Sequence, residues 1–346
     1  MKPLMDCTPE ELSALMKDYG QPAFRGKQLY AWLMAGAPWE DMTNLPKALR
    51  ERLAREAPRG GARLEQKRVS QKDGTVKYLF ALADGNVVEG VLMRYHYGNT
   101  LCISTQVGCR MGCAFCASTL EGCVRNLTAG EMLGEVAAAN ADEGTGRNIT
   151  NIVLMGSGEP LDNYEEVVAF LRLVNRPEGL GVSLRNISLS TCGLVPQMRR
   201  LAEEGLPVTL SLSLHAPDDA LRRRIMPVAQ AYALEDVLDA ARYYIQRTGR
   251  RVILEYALIG GLNDAPEQAE ALSQLLRGMQ CHVNVIPLND VPERNLSGST
   301  PQRVQAFLQV LERRGISATQ RREMGADIEG ACGQLRRKVL QDHKEG

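Results

Sequence analysis

The sequence lacks the features that would place a protein in or across a membrane. No run of residues approaches the roughly 18 apolar positions that a membrane-spanning helix requires. The N-terminal residues include Asp6, Glu10 and Glu11, where a secretory signal would have an apolar core. Neither a long internal repeat nor a low-complexity segment is evident. We therefore expect a soluble protein that resides in the cytoplasm and has no membrane association.

The chain also has no excess of charge of either sign. Its 41 Lys and Arg residues balance 41 Asp and Glu residues, and its pI is near 6.9. This balance excludes a protein that coats nucleic acid with a uniformly basic surface, although a neutral total can still hide one basic face. Arginines do recur in groups, for which solvated helix ends are the alternative explanation. The groups are Arg199-Arg200, Arg222-Arg223-Arg224, Arg250-Arg251, Arg313-Arg314, Arg321-Arg322 and Arg336-Arg337.

Nine cysteines in 346 residues, three clustered and others isolated in apolar runs, do not form the pattern of a secreted disulfide framework. Cys109, Cys113 and Cys116 follow the spacing CxxxCxxC. Structural zinc needs four tight ligands, and iron-sulfur clusters usually take four cysteines. Three thiolates therefore predict a metal centre with one open position. The alternative is that Cys123 supplies a fourth ligand, which would give a zinc knuckle or a ferredoxin-like electron carrier.

Length and residue pattern predict an α/β protein with two main parts. A chain of 346 residues with 44% hydrophobic residues can bury a sizeable core and is long enough for about two domains. The N-terminal part begins with helical patterns, and its first helix starts at the capping box Thr8-Pro9-Glu10-Glu11. From Gly61 the pattern is strand-like, with hairpin signals at Asp73-Gly74, Asp84-Gly85 and Tyr97-Gly98-Asn99.

From about residue 100, strands and helices alternate six times, which predicts a parallel sheet in a partial (β/α)6 barrel. We expect a small accessory domain of helices and antiparallel strands at residues 1–95, the barrel at 96–320 and a C-terminal segment at 321–346. In β/α barrels the chemistry lies at the C-terminal ends of the strands. Unusual residues follow all six predicted strands. They are the cysteine cluster, Gly156–Pro160, Ser190–Gly193, Ser213–His215, Gly260-Gly261 and Asn289.

Four motifs resemble the RlmN/Cfr family of radical S-adenosylmethionine (SAM) RNA adenosine methyltransferases, over nearly the whole chain and most closely its RlmN branch. They are CxxxCxxC, Gly158-Glu159-Pro160-Leu161, Ser213-Leu214-His215-Ala216 and Ala331-Cys332-Gly333-Gln334-Leu335. The resemblance implies that Cys109, Cys113 and Cys116 bind a 4Fe-4S cluster whose fourth iron is chelated by SAM. It also implies a set of residues that contact SAM. These are Gly158, Glu159, Ser190, Ser213, Leu214, His215 and Asn289.

The same resemblance implies a reaction in which a cysteine carries the methyl group. Carbon 2 of adenine lies between two ring nitrogens and is electron-poor, so it cannot attack the methyl group of SAM directly. A first SAM methylates the Cys332 thiolate, and a second SAM in each turnover yields a 5′-deoxyadenosyl radical that removes hydrogen from the S-methyl group. The carbon radical adds to adenine, Glu89 removes the ring proton, and Cys102 attacks the Cys332 sulfur to release the product by disulfide formation. Without the resemblance, Cys102 and Cys332 would be packing residues and Glu89 a solvated strand charge.

The implied substrate is an adenosine of 23S ribosomal RNA near the peptidyl transferase centre and, in some relatives, an adenosine beside the tRNA anticodon. The base must leave its stack to reach a buried radical, so we expect RNA that is single-stranded or locally unfolded. The accessory domain should contact this RNA, the cluster requires an electron donor such as flavodoxin or ferredoxin, and we expect a monomer. Two alternatives remain open. One is a Cfr-type enzyme that methylates carbon 8, and the other is a noncatalytic metal-binding factor that binds RNA without consuming SAM.

Overall fold

The structure is a computed structural model that describes residues 1–288 and 296–328, and its framework is one continuous sheet. The strands are β1 (Arg63–Val69), β2 (Val76–Ala81), β3 (Val87–Tyr95), β4 (Gly98–Cys102), β5 (Gln106–Gly108), β6 (Cys123–Asn126), β7 (Ile149–Leu154), β8 (Ile187–Thr191), β9 (Thr209–Ser213), β10 (Val252–Leu258), β11 (Cys281–Pro287) and β12 (Ala318–Gln320). The sheet has the order β1-β2-β3-β4-β7-β8-β9-β10-β11-β12, and β5 pairs with β6 in a separate ribbon.

Three helices precede the strands, and the others alternate with the parallel strands along the chain. They are α1 (Pro9–Asp18), α2 (Phe24–Met34), α3 (Lys47–Glu56), α4 (Ala129–Asp142), α5 (Tyr164–Val174), α6 (Val195–Glu203), α7 (Asp219–Ile225), α8 (Leu234–Thr248), α9 (Pro266–Leu275) and α10 (Pro301–Arg313). None of the helices within the two described ranges is long and apolar enough to cross a membrane.

The parallel half of the sheet confirms the predicted α/β architecture. Strands β4, β7, β8, β9, β10 and β11 pair in parallel in that order, and they correspond to the six predicted strands. A further parallel strand, β12, pairs with β11 and was not predicted, because three residues are too few to show a periodic pattern. The seven-residue helix α7 was missed for the same reason.

The antiparallel strands extend the same sheet. Neighbouring pairs among β1, β2, β3 and β4 are antiparallel, and β4 then pairs in parallel with β7. The predicted turns lie at the three hairpin connections. Gly74 and Gly85 have φ values of 71° and 85°, a conformation that tight hairpin turns require and that glycine adopts without strain.

Residues from distant positions in the strand order line one cavity, so the sheet curls into an incomplete barrel. Val91 on β3 shares this cavity with Ile286 on β11 and Gln320 on β12. Within residues 1–288 and 296–328, β12 does not pair with β1. The barrel is therefore not closed, and the cavity lies between β3 and β4 on one side and β11 and β12 on the other.

Capping boxes begin helices α1 and α4. Thr8 Oγ1 accepts a hydrogen bond from Glu11 N at 3.1 Å, and Glu11 Oε2 accepts one from Thr8 N at 2.7 Å. Thr128 and Glu131 make the same reciprocal pair at the start of α4. The first turn of α4 is also joined to the N-terminal segment, because Gly130 N donates to Asp6 Oδ1 at 2.5 Å.

Helix α4 carries a fully buried carboxyl group beneath the strand ends. Glu135 Oε2 accepts a hydrogen bond from Ser104 N at 3.1 Å, whereas Oε1 has no partner among the described residues. Burial raises the pKa of Glu135 well above its usual value, and the hydrogen bond from Ser104 offsets this shift only in part. The Ser104 hydroxyl donates to Glu89 O at 2.9 Å and accepts from Ser157 N at 3.0 Å. Glu135 thus holds Ser104 in place, and Ser104 joins the strand that carries Glu89 to the loop that carries Ser157.

We expect Glu135→Gln to stabilise the protein increasingly as the pH rises. A carboxyl group whose pKa is raised in the folded state favours folding below its unfolded pKa, near 4.5, and this contribution is lost as the pH rises toward the folded pKa. Glutamine has nearly the same shape as glutamate but does not bind or release a proton. The unfolding free energy of the variant minus that of the wild type should therefore grow by up to about 1.4 kcal/mol per pH unit above the unfolded pKa of glutamate. Urea unfolding at several pH values measures the difference.

Glu235→Gln, at an exposed position on α8, is the matched control for replacing a glutamate by glutamine. If the difference in unfolding free energy between Glu135→Gln and the wild type did not change with pH, the pKa of Glu135 would not be raised in the folded protein.

Candidate active site

One face of the sheet carries the residues predicted to act on the substrate. Side chains alternate between the two faces along a strand, and residues opposite each other on paired strands share a face. Cys102 on β4 lies opposite Val91 on β3, and Glu89 lies two residues from Val91. Lys77 on β2 also lies opposite Val91. Strand pairing therefore brings Lys77, Glu89 and Cys102 to one face.

The C-terminal ends of the parallel strands surround a cavity of about 180 Å³, named here the strand-end cavity. The residues predicted from the sequence that line it are Cys109, Cys113, Cys116, Gly158, Glu159, Ser190, Ser213 and His215. Leu214, also predicted from the sequence, does not line this cavity. Its side chain packs in the hydrophobic core, and its N–H donates to Glu255 O at 3.0 Å. The predicted residues Asn289 and Cys332 lie outside the described residues.

The three clustered cysteines lie in the loop that the β5–β6 ribbon closes. Cys109 N donates to Gly122 O at 2.9 Å, and Thr119 Oγ1 donates to the carbonyl oxygens of Cys113 and Cys116 at 3.2 and 2.9 Å. Burial raises the pKa of Cys109 to about 12 and also raises the pKa of Cys113, and neighbouring thiolates add to both shifts. Thiols in this environment need a bound cation in order to ionise.

The donor atoms of this loop suit a metal centre bound by thiolates. Cys109, Cys113 and Cys116 all line the strand-end cavity, and three cysteines leave one iron of a 4Fe-4S cluster without a protein ligand. Cys123, which the zinc alternative requires, pairs opposite Gly108 on the ribbon and does not line the cavity. The residues present therefore fit a 4Fe-4S cluster with one open iron.

Backbone amides hold the carboxyl group of Glu159 in place. Its Oε2 accepts from Cys192 N at 2.8 Å and its Oε1 accepts from Leu161 N at 3.0 Å. Burial raises the pKa of Glu159, and these hydrogen bonds oppose the shift. The N–H of Glu159 donates to Gln106 Oε1 at 2.9 Å, so the loop is also fixed from β5. Gly158 has φ 109°, and a Cβ there would lie 2.7 Å from Gln106 N, so the close approach requires glycine.

His215 adopts a strained backbone conformation beside the cavity. Its φ is 57°, a value that no other non-glycine residue in the described ranges approaches. Its Nδ1 accepts from Ala257 N at 2.9 Å, and its ring meets Phe115 edge-on with 4.5 Å between centroids. Burial lowers the pKa of His215 to about 3, and the charge of Arg222 acts in the same direction. The ring is therefore neutral, and Nε2 carries the proton and can donate.

A second cavity, of about 340 Å³ and named here the Cys102 cavity, adjoins the first. Its lining combines Cys102 and apolar side chains with two arginines, Arg321 and Arg322. Ile286 and Arg321 line both cavities. Cys102 therefore lies in a cavity that adjoins the site formed by the cysteine cluster. The two are also close in sequence, since only a short strand and turn separate them.

The predicted base Glu89 belongs to a buried ion pair. Its Oε2 lies 3.3 Å from Lys77 Nζ, and the Lys77 side chain is fully buried. A buried ammonium group needs an opposite charge nearby, because it loses its hydration on folding. Our sequence reasoning missed Lys77, although a single lysine within the apolar strand Val76–Ala81 was a usable signal. It also missed Gln106 and Arg321, whose roles depend on contacts between distant segments.

Comparisons with known proteins agree with this geometry. Residues 103–272 match the model described as the radical SAM superfamily, and residues 2–58 match the ribosomal RNA large subunit methyltransferase N-terminal domain. A crystal structure of a radical SAM methyltransferase from Sphaerobacter thermophilus superimposes with a TM-score of 0.91 and 44% identity, covering 96% of this chain and 98% of that chain. The fold and the cysteine loop thus define a radical SAM enzyme.

Curated relatives narrow this class to one family. A probable dual-specificity RNA methyltransferase RlmN from Alkaliphilus oremlandii is 51% identical over 340 residues, which are 98% of both chains. The protein of that name from Lachnoclostridium phytofermentans is 54% identical over 332 residues, covering 95% of this chain and 93% of the relative. The chain belongs to the RlmN family, as the resemblance in its motifs predicted.

We expect Lys77→Met to destabilise the protein by about 3–5 kcal/mol, because it removes one partner of a buried ion pair and leaves the Glu89 carboxylate without the charge of Lys77. Adding Glu89→Gln removes the carboxylate as well, so the double variant should recover a large part of this loss. Denaturant unfolding of both single variants and the double variant measures the coupling energy.

Lys27→Met, at an exposed position on α2, controls for the loss of one lysine and should change stability by less than about 0.5 kcal/mol. Strictly additive effects of Lys77→Met and Glu89→Gln would contradict the pairing.

Proposed function

We propose that the chain is a radical SAM methyltransferase that methylates carbon 2 of an adenosine in 23S ribosomal RNA and of an adenosine beside the tRNA anticodon. Membership of the RlmN family supports this function, since relatives named as dual-specificity RNA methyltransferases match nearly the full length. The observation that carries the proposal is the junction of the two cavities, where Ile286 and Arg321 line both the cysteine-cluster site and the Cys102 cavity. The implied reaction needs this adjacency of cofactor and thiol.

In this proposal Cys109, Cys113 and Cys116 hold a 4Fe-4S cluster, and SAM occupies the rest of the strand-end cavity. When bound and reduced by a flavodoxin or ferredoxin, this pair supplies a 5′-deoxyadenosyl radical, and two SAM molecules are used in each turnover. Glu159 and the Gly158 peptide receive the amino group of SAM, because a carboxylate fixed by two backbone amides is a preorganised acceptor. Polar groups at strand ends bind the ribose and carboxylate. These come from Ser190, Ser213, Leu214, His215 and Asn289.

Three residues carry the methyl transfer. The Cys332 sulfur accepts the methyl group, and Glu89 removes the ring proton after the carbon has joined the base. The one electron left by radical addition would return to the oxidised cluster. Cys102 then attacks the Cys332 sulfur, so that the electron pair of the broken sulfur–carbon bond passes to the methylated base, which takes up a proton, and a thiol reductant later opens the Cys102–Cys332 disulfide. The position of Cys102 in its cavity supports this role. Ser104 bridges Glu89 O and Ser157 N, which keeps the base at a fixed distance from the SAM loop.

The proposal assigns a task to each part of the chain. Residues 1–95 form an accessory domain that contacts RNA, residues 96–320 form the radical SAM barrel, and residues 321–346 supply the methyl-carrying Cys332. The match of residues 2–58 to an rRNA methyltransferase N-terminal domain supports the first assignment. We treat the enzyme as a cytoplasmic monomer.

The two alternative functions, a Cfr-type methyltransferase and a noncatalytic RNA-binding factor, account for fewer of these observations. Carbon 8 methylation, the Cfr-type reaction, is not favoured, because curated relatives at about half identity over the full chain carry the RlmN name. A noncatalytic RNA-binding factor would have no use for a carboxylate held by backbone amides beside three cluster cysteines.

Cys332→Ala should lower formation of 2-methyladenosine by at least about 1000-fold, because a residue that carries the transferred group has no substitute. Iron and sulfide content should stay at the wild-type level. Mass spectrometry of nuclease-digested RNA measures the product, and 8-methyladenosine from the wild type would refute the proposed position on the ring.

Cys102→Ala should stop the reaction later, with a covalent protein–RNA species that denaturing gels detect, since nothing then breaks the sulfur–carbon bond. Cys281→Ala, at a half-buried position on β11, is the matched control and should retain wild-type activity. A Cys102→Ala variant that turns over normally would exclude Cys102 as the resolving thiol.

RNA affinity should fall at least tenfold between about 50 mM and about 200 mM salt, because phosphate contacts release counterions. Arg322 is exposed at the Cys102 cavity, so Arg322→Gln should reduce the slope of log affinity against log salt by about one. Fluorescence anisotropy with a labelled RNA stem-loop measures the slope. Arg313→Gln, exposed at the end of α10, is the control, and an equal change there would argue against a local phosphate contact.

A further inference from the structure

An arginine buried behind the cysteine cluster makes no direct ion pair with a carboxylate in the part of the chain that the structure describes. Arg222 on α7 is fully buried, and its Nη2 donates to Cys192 O at 2.7 Å. Among the described residues its Nε and Nη1 have no hydrogen-bond partner, and the carboxylate of Asp219 acts on the guanidinium only from a longer distance. An arginine in this state is uncommon, because burying an unpaired charge costs several kcal/mol.

The surroundings of Arg222 lead to the cluster site. Cys113 and Cys192 belong to one buried apolar group with three residues of the α7 region, and Phe115 and Cys116 pack against that group. Cys113 and Cys192 also line the strand-end cavity, and the Arg222 guanidinium lies near enough to interact electrostatically with both side chains. Gly193 permits this position, since a Cβ there would lie 3.1 Å from Arg222 Nη2. The positive charge therefore lies directly behind one wall of the cavity.

A cluster bound by three thiolates supplies the negative charge that this arginine lacks. The cluster with its thiolates is an anion, and it gains one further negative charge when it accepts an electron. Reduction potentials of iron-sulfur clusters depend on net charge, hydrogen bonding and burial, and a fixed cation acts more strongly where water is excluded. Arginine is suited to this position, because its guanidinium stays charged even though burial lowers its pKa.

We propose that Arg222 is a positioning residue that acts as the counter-charge of the 4Fe-4S cluster and raises the potential at which the cluster accepts its electron. This inference rests on the proposed function, which supplies the cluster. In the step concerned, one electron passes from a low-potential flavodoxin or ferredoxin, which is oxidised, to the cluster, which is reduced, and no proton is transferred. Arg222 compensates the charge that the cluster gains.

A purely structural role is the competing explanation, and it has its own basis in the contacts. The carbonyl of Cys192 accepts from Arg222, and the N–H of the same residue donates to Glu159 Oε2. Arg222 could therefore serve only to orient the Cys192 peptide and, through it, Glu159. The experiment has to separate this positional effect from an effect of charge.

The first measurement is the midpoint potential of the cluster in anaerobically reconstituted full-length protein without SAM, followed by EPR with dithionite as the reductant. Arg222→Met removes the charge and should lower the ratio of reduced to oxidised cluster at least tenfold at a fixed solution potential. Arg222→Lys keeps the charge and should stay within about threefold of the wild type. Arg224→Met removes an exposed arginine two residues away on α7 and should have no effect.

The second measurement is the thermal stability of each protein before and after reconstitution. Without the cluster, Arg222→Met should be at least as stable as the wild type, because the variant lacks a buried charge without a partner. With the cluster, it should gain less stability than the wild type gains. A structural role predicts the opposite for the apoprotein, where loss of the bond to Cys192 would lower stability.

An unchanged potential in Arg222→Met, or an apoprotein variant less stable than the wild type, overturns the inference and leaves the proposed function intact. A wild-type chain that takes up no cluster defeats both. Equal potentials in Arg222→Met and Arg222→Lys, both below the wild type, would show that the hydrogen bond to Cys192 matters and the charge does not.

Discussion

Charged groups buried on the inner face of an apolar sheet are the constraint on which this site depends. Water does not reach them, so each must have a hydrogen-bond donor or an opposite charge in the protein or in what it binds. Backbone amides meet this requirement for Glu159, and Lys77 meets it for Glu89. Because these partners belong to strands and strand ends, the fold itself fixes where each charge lies. The site is thereby preorganised before any ligand arrives.

The hydroxyl group of Ser104 joins the antiparallel part of the sheet to the parallel part at the site. Ser104 donates to the carbonyl of Glu89 on the antiparallel strand β3, and it accepts from the amide of Ser157 in the loop after the parallel strand β7. Glu135 holds the Ser104 backbone from a helix below. A shift of β3 relative to the parallel strands would break both bonds at Ser104. The position of Glu89 is therefore coupled to the loop that carries Gly158 and Glu159.

Local patterns predicted much of this structure, and contacts between distant segments account for what they missed. Alternating strands and helices, the hairpin dipeptides and the capping box at Thr8 are signals that act over a few residues, and each appears where the sequence placed it. The motifs that carry the family resemblance implied eight residues that line the strand-end cavity. The Leu214 side chain packs in the hydrophobic core, because consecutive strand residues point to opposite faces and Ser213 takes the inner one.

Two residues that the sequence did not predict, Lys77 and Arg222, are buried cations. A sequence does not show which cation will be buried or which group will compensate its charge. Lys77 finds Glu89 through the register of two strands, and Arg222 reaches Cys192 from a helix too short to give a pattern. Strand β12 is equally short, yet it delivers Arg321 to the junction of the two cavities. These features follow from tertiary pairing, which single-sequence periodicity does not encode.

The strand-end cavity and the Cys102 cavity meet at a wall made of side chains and not of paired strands. Within the described chain, Ile286 and Arg321 are the side chains common to both linings. The backbone of Arg321 is fixed, since its N–H donates to Val285 O at 2.8 Å, whereas its long side chain attracts Glu255 and lowers the pKa that burial raises. A wall made of side chains can rearrange by rotation about single bonds, while a wall of paired strands cannot. Rotation of the Ile286 and Arg321 side chains alone can therefore change the connection between the two cavities, while the paired strands stay in place.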